Sequence, residues 1–297
     1  MTRYAYAGEP GAFAEDAVLA LAEDAEAVPV SGFREVFEVV TAGGRPGDGA
    51  AIAAVERGVL PIENVVQGTV RETYDLLLEH QLVIVGEVIV PVRLCLAAMP
   101  GETLESIERV YSHIQALGQA EVFLRTRPWS LLTTYNTAGA GKLIADRQER
   151  GAAAVLSPRA AALFGFDVLA HDIQSVPDNR TRFLVVARMG DPPVEPGDQA
   201  TTWNGVASQG HRTTLVLAVH NEPGALLRCL KVIADAGLNM GKLESRPSRD
   251  RAWEYVFWVE LDADARASVT ASAIAELGRV AAMVRVLGSC PRAADPA

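Results

Sequence analysis

The chain has 297 residues, enough for two ordinary domains, and at 49% hydrophobic and 22% charged it can bury real cores. Its 37 Asp+Glu against 27 Lys+Arg give a net charge of -10, which argues against a nucleic-acid or anionic-membrane surface, since both demand a basic field. No apolar run approaches the roughly 18 residues of a membrane span, and Met1–Tyr6 lacks the apolar stretch of a signal peptide, so a cytoplasmic protein is expected.

Along the chain, short β-type runs alternate with helical patterns. Arg3–Ala7 reads as a strand, Phe13–Ala22 as a helix, Ala27–Val30 as a strand, and Phe33–Thr41 as a helix with Ser31 near its start. Ala51–Val55 reads as a buried strand, Val70–His80 as a helix and Leu82–Val90 as a long apolar strand. Arg93–Ala98, a helix over Ser112–Leu124, Leu131–Tyr135, Ala138–Arg147, Ala153–Leu156, a short helix from Pro158 and Arg182–Ala187 complete this region. Such alternation predicts an α/β architecture with largely parallel sheets, whose ligands bind where strands give way to helices.

Residues 190–210, rich in Pro and Gly, read as a linker. Beyond it come a strand over Thr213–His220, a helix over Gly224–Ala236, strands over Leu238–Ser245 and Trp253–Leu261, a helix over Ala265–Arg279 and a last strand over Ala281–Leu287. That βαββαβ order is the ferredoxin-like pattern.

Cys95, Cys229 and Cys290 are odd in number and form no C-x-x-C pair, and the five histidines form no ligand cluster, so neither a disulfide framework nor a metal centre is expected. No dinucleotide fingerprint follows a strand, and Asn136–Lys142 fails as a phosphate loop because Asn136 stands at the first glycine position and Leu143 replaces Ser/Thr.

Polar motifs fall at the strand–helix joints. Gly8-Glu9-Pro10-Gly11-Ala12-Phe13 either offers helix N–H groups to an anion or is a plain turn. In Pro61–Val70, Asn64 suits a carboxylate or hydroxyl, or merely serves turn geometry, and Thr69 fits an N-cap. Ser112 and Gln115 match an S-x-x-Q capping box, and Gln119 extends a polar stripe that either lines a cleft or is solvated. In Asp178–Phe183, Thr181 sets a hydroxyl between two guanidiniums.

Taken together, Pro61-Ile62-Glu63-Asn64, Ser112-His113-Ile114-Gln115-Ala116-Leu117, Asn179-Arg180-Thr181-Arg182-Phe183 and Glu244-Ser245-Arg246-Pro247 resemble the prephenate dehydratase family with a C-terminal ACT domain, from about Arg3 to Leu287. The resemblance implies a two-lobed, type II periplasmic-binding-protein-like catalytic region over 1–190, with lobes at 1–90 plus 172–190 and at 91–171. A linker over 191–212 and an ACT domain over 213–288 follow.

What it implies for function is decarboxylating dehydration of prephenate to phenylpyruvate, with no cofactor and no metal. Thr181 corresponds to the catalytic threonine, and Asn64, Ser112 and Gln119 to substrate-contacting residues. Arg182, Phe183 and Thr137 join them, Arg182 as a carboxylate partner beside helix N-termini. L-phenylalanine is the implied effector, held by Asn221, Pro223, Gly224, Ala225, Leu226, Asn239, Met240, Glu244 and Ser245, in a homodimer or homotetramer.

The chain departs from the family pattern at Val65, where Ser is usual, at Ala12 and Ala14, which lack hydroxyls, and at Gly139 and Gly141, where alanines are usual. Plant-type arogenate dehydratases are similar through Gly8–Gly11 and Tyr74–Glu87, which keeps arogenate open as the substrate. A prephenate decarboxylase is disfavoured by Thr181-Arg182-Phe183, and a non-catalytic amino-acid sensor is the alternative of another class.

Overall fold

A computed structural model describes residues 1–22, 24–43, 55–191, 194, 202–203, 206–207, 210–247 and 255–293. By contacts the chain divides into two compact units, residues 1–80 with 88–183 and residues 81–87 with 184–297. In this division residues 81–87 and 184–190 group with the C-terminal residues.

The first unit holds two sheets. In one, β1 (Arg3–Ala7) lies between β2 (Glu26–Val30) and β3 (Arg57–Asn64) and runs parallel to both. Parallel neighbours need crossovers, and α1 (Phe13–Leu21) and α2 (Phe33–Ala42) supply them, burying Val18, Leu21, Val36 and Phe37. The strand expected over 51–55 falls mostly on 51–54, which lie outside the described residues; β3 runs to Asn64, so Pro61–Asn64 is a strand end and not a loop. A tight turn returns as β4 (Gly68–Thr69), pairing Asn64 with Gly68, and α3 (Arg71–Glu79) follows.

The second sheet orders β10 (Asp167–Ala170), β6 (Cys95–Ala98), β9 (Ala152–Leu156), β7 (Arg109–Ser112) and β8 (Ser130–Thr133). It is mixed rather than largely parallel, since β6 runs antiparallel to both β9 and β10. Alternation along β9 feeds two cores. Ala152, Ala154 and Leu156 pack with Ala140 and Ile144 of α6 (Thr137–Arg147), and Ala153 and Val155 pack with Leu117 and Leu124.

The expected helix over Ser112–Leu124 is a strand end followed by two short helices, α4 (Ile114–Gln119) and α5 (Glu121–Leu124). Ser112 pairs with Thr133 on β8 and is no N-cap. His113 caps instead, its Nδ1 accepting the Gln115 N–H at 3.4 Å. Across the unit, Gly11 (φ +92°) packs against α7 (Pro158–Leu163) so closely that a Cβ there would lie 2.7 Å from Ala160 Cβ. Ser157 Oγ donates to Gly11 O at 3.0 Å, and Arg159 pairs with Glu15 and Asp16.

In the second unit, β14 (His211–Ala218), α8 (Ala225–Asp235), β15 (Met240–Pro247), β16 (Tyr255–Leu261), α9 (Ser268–Val280) and β17 (Met283–Pro291) follow the βαββαβ order. The strands lie in the order β15-β16-β14-β17, every pair antiparallel, over a core of Leu215, Leu217, Cys229, Ile233, Val259 and Leu277. Two further strands carry residues of both units, β5 (Leu82–Pro91) and β11 (Arg180–Arg188). Residues 81–87 belong with the C-terminal sheet because Ile84 pairs with Gly288 and Arg212 Nη1 holds both Glu87 oxygens at 2.9 and 2.7 Å. Within the expected linker, β12 (Thr202–Trp203) pairs antiparallel with β13 (Val206–Ala207). Among the described residues no helix is long and apolar enough to cross a membrane.

Candidate functional site

A cleft of about 800 Å³ opens in the first unit. Four helices of nine to eleven residues begin on its wall: α1 at Phe13, α2 at Phe33, α3 at Arg71 and α6 at Thr137. Strands of both sheets feed these helices, and their first turns meet at the cleft. The opening N–H groups of a helix have no intrahelical acceptor, and the macrodipole places partial positive charge there. A protein of net charge -10 thus presents an anion-favouring cavity.

Thr181 lines the cleft near the start of β11, next to Asn64 at the end of β3. Asn64 Nδ2 donates to Thr181 Oγ1 at 2.9 Å, and also approaches Asn179 Oδ1 at 2.8 Å and Arg180 O at 3.0 Å. Asn64 Oδ1 accepts the N–H groups of Val66 and Gln67 at 3.0 and 2.9 Å. The Asn64 carboxamide is therefore committed to protein on both sides. Thr181, as acceptor of an N–H, keeps its own proton free to point at a ligand.

The other expected residues separate. Gln119, Thr137 and Phe183 line the cleft, Phe183 as a buried apolar wall. Ser112 does not. It is fully buried, and its hydroxyl donates to Val155 O at 2.6 Å, because strand pairing turns it inward. Arg182 does not line the cleft either. It alternates with Thr181 and Phe183 along β11, and its Nη2 bonds Glu63 Oε2 at 3.0 Å, so the expected carboxylate partner is taken. Arg71, which sequence reasoning missed, is the one Arg or Lys among the lining residues, with Glu72 beside it.

His113 and Gln115 also line the cleft, and burial holds the His113 imidazole below its usual pKa, matching a neutral ring whose Nδ1 accepts. Of the departures, Ala12 and Ala14 lie on the wall, whereas Val65 is exposed and outside it. Gly141 is needed in the core: a Cβ there would come 2.6 Å from the Phe164 ring. Among the described residues no group of three or more His, Cys, Asp or Glu is arranged to hold a metal.

A second cavity of about 320 Å³ lies in the C-terminal unit where β14 meets α8. Asn221, Gly224, Ala225 and Leu226 line it, and Gly224 (φ +79°) takes the left-handed cap that starts α8. Tyr255 and Phe257, which the sequence did not single out, complete the wall. Pro223, Glu244 and Ser245 are not on it. Asn239 and Met240 fall at the far end of the sheet, because β15 runs beside β16 with Met240 opposite Leu261 and Pro247 opposite Tyr255; Asn239 instead bonds Asp262 at 2.6 Å.

Comparison with known proteins identifies the two domains. The family model described as prephenate dehydratase matches residues 4–191, and the ACT domain model matches residues 213–279. The chain is 38% identical to arogenate dehydratase/prephenate dehydratase 2 of Arabidopsis thaliana, covering 97% of this chain and 72% of the relative. The structure of prephenate dehydratase in complex with L-Phe from Arthrobacter aurescens is 31% identical with a TM-score of 0.82, over 100% of this chain and 93% of that one. A structure described as GqqA, a novel type of quorum quenching acylase, is 28% identical with a TM-score of 0.83, over 98% of both chains.

Proposed function

The chain belongs to the prephenate dehydratase family and carries a C-terminal ACT domain, and from that premise we propose that it converts prephenate to phenylpyruvate, with phenylalanine as effector. The observation that carries this reading is the Asn64–Thr181 hydrogen bond at the wall of an anion-favouring cleft.

The reaction breaks the bond from ring carbon to carboxylate, and the electron pair moves through the ring and expels the hydroxyl on the opposite carbon. Carbon dioxide and water leave as the ring becomes aromatic, and the departing oxygen takes up one proton. Aromatisation makes the step strongly downhill, so the protein has to bind a dianion and steady the leaving oxygen. Thr181 supplies the donor to that oxygen. Its pKa is far above neutrality, so it acts by hydrogen bonding along the elimination path and not as a free acid. Asn64 is a positioning residue that fixes the hydroxyl's direction. Arg71 and the first turns of α1, α3 and α6 take the two carboxylates, Gln119 offers an uncommitted carboxamide, and Phe183 gives the ring an apolar wall.

Arogenate is the second reading, favoured by the Arabidopsis relative's name and by Glu72 on the cleft wall, a carboxylate suited to that substrate's ammonium. Phenylalanine as effector is supported by the cavity at Asn221–Leu226 and by the L-Phe complex of the Arthrobacter relative. The test of the catalytic assignment is turnover of prephenate by wild type, Thr181→Ser and Thr181→Ala, with the alanine variant expected to be the most impaired.

A further inference from the structure

Tyr135 stands one residue before Asn136, the N-cap of α6, and lines the cleft mouth. Its phenol donates to Glu9 Oε1 at 3.1 Å, and Glu9 belongs to the turn that opens α1 in the other lobe. One side chain therefore joins the starts of two helices that face the cleft. The path it takes depends on a missing side chain: a Cβ on Gly139 would sit 2.5 Å from Tyr135 Cζ and 2.7 Å from its hydroxyl oxygen. Asn136 Oδ1, which accepts the Gly139 N–H at 2.5 Å, would be 2.9 Å from the same Cβ. Gly139 is thus a residue whose absent methyl leaves room for the ring over the first turn of α6.

We propose that Tyr135, seated by Gly139, is a strap across the cleft mouth that fixes the first turn of α6 relative to the turn that opens α1, and is a positioning residue for the reaction proposed above, on which this inference rests. With both turns held, the N–H groups that open α1 and α6 meet a dianion without first being ordered, so loss of the strap weakens substrate binding. The strap adds to the seam that joins the same turn to α7 through Gly11, Ser157 and Arg159, and Tyr135 remains largely solvent-exposed while reaching Glu9. Desolvation of the phenol, its bond to Glu9 and the nearby charge of Asp146 hold the Tyr135 pKa above its ordinary value, in keeping with a seated strap.

The experiment compares wild type, Tyr135→Phe, Tyr135→Ala, Gly139→Ala and the Tyr135→Ala/Gly139→Ala pair. Tyr135→Phe and Gly139→Ala are expected to raise KM for prephenate by roughly 2- to 10-fold, the worth of one hydrogen bond, with kcat changed by less than about twofold. In the Tyr135→Ala background, Gly139→Ala should add a clearly smaller rise, since the ring is gone and only Asn136 Oδ1 still crowds the new methyl. A Tyr135→Phe variant with wild-type KM, or a Gly139→Ala effect that persists in full without the tyrosine ring, overturns the strap. A wild type inactive on prephenate overturns the functional reading instead. The strap is then decided by the phenolate absorbance titration of Tyr135, read as the difference from Tyr135→Phe in each background. Gly139→Ala should lower that titration toward the ordinary value, and an unchanged titration would contradict the seating.

Discussion

The amide nitrogen of Asn64 lies 2.9 Å from the hydroxyl oxygen of Thr181, and both side chains are buried to within a tenth of their surface. An amide nitrogen only donates, so the threonine oxygen accepts and its proton is directed elsewhere. β3 and β11 bring the two residues together from 117 positions apart in sequence.

Thr181→Ala is expected to lower kcat by about 10²–10³, the usual cost of losing one positioned donor, and Thr181→Ser to retain more. Asn64→Ala should lower kcat with a smaller change in KM, because it misdirects the hydroxyl without touching the carboxylate sites. The double variant should be no worse than about the Thr181 single, since the two act as one unit. Steady-state kinetics on all four proteins checks this, and additive losses would separate the two roles.

Arg71 and Arg182 should fail in different ways. Arg71→Ala is expected to raise KM by about tenfold or more, as a charge-assisted contact worth roughly 1.5–3 kcal/mol is lost, while the melting temperature stays near wild type. Arg182→Ala should lower the melting temperature instead, because Arg182 is buried and bonded to Glu63. Thermal unfolding alongside kinetics tells the two apart.

The contrast between these arginines also marks where the sequence stops being readable. Arg-Thr-Arg-Phe on a strand alternates faces, so Thr181 and Phe183 at the cleft already imply that Arg182 is turned away. That signal was present and pointed against the expected role. Ser112 is different, since S-x-x-Q fits a capped helix as well as a strand end, and only the pairing of Ser112 with Thr133 decides between them. Arg71 stands near the start of the helix expected over Val70–His80, and nothing local reveals that three other helices start on the same cavity. The βαββαβ order was plain from periodicity, whereas the separation of Asn239 from Gly224 follows from strand direction within the sheet.

Asp264 gives the C-terminal unit an acid-sensitive contact. Hydrogen bonds from the Arg266 side chain and backbone N–H hold its pKa at about 2. A carboxylate depressed in the folded state stabilises above its unfolded pKa, near 3.9, and loses that contribution as pH falls through the folded value. Wild type should therefore exceed Asp264→Asn in denaturation midpoint at pH 7 and lose the advantage between about pH 4 and 2. An advantage that is the same at both ends of that range would contradict the assignment.

Phenylalanine should shift the prephenate saturation curve of the full-length protein, with coupling in the usual range of about 5- to 150-fold. Leu226→Ala and Asn221→Ala should raise the phenylalanine concentration needed for that shift. Deleting the ACT domain is a poorer test, because residues 81–87 would lose the pairing of Ile84 with Gly288 and the Glu87–Arg212 ion pair. A calorimetric titration showing no phenylalanine binding by the wild type would remove the effector assignment.

The most direct measurement is product identification with prephenate and arogenate offered in parallel to the purified full-length protein. Phenylpyruvate should accumulate from prephenate with the larger kcat/KM, and Thr181→Ala should reduce it by about 10²-fold or more. Phenylalanine formed from arogenate while prephenate stays intact, or phenylpyruvate formed equally well by Thr181→Ala, would contradict the account.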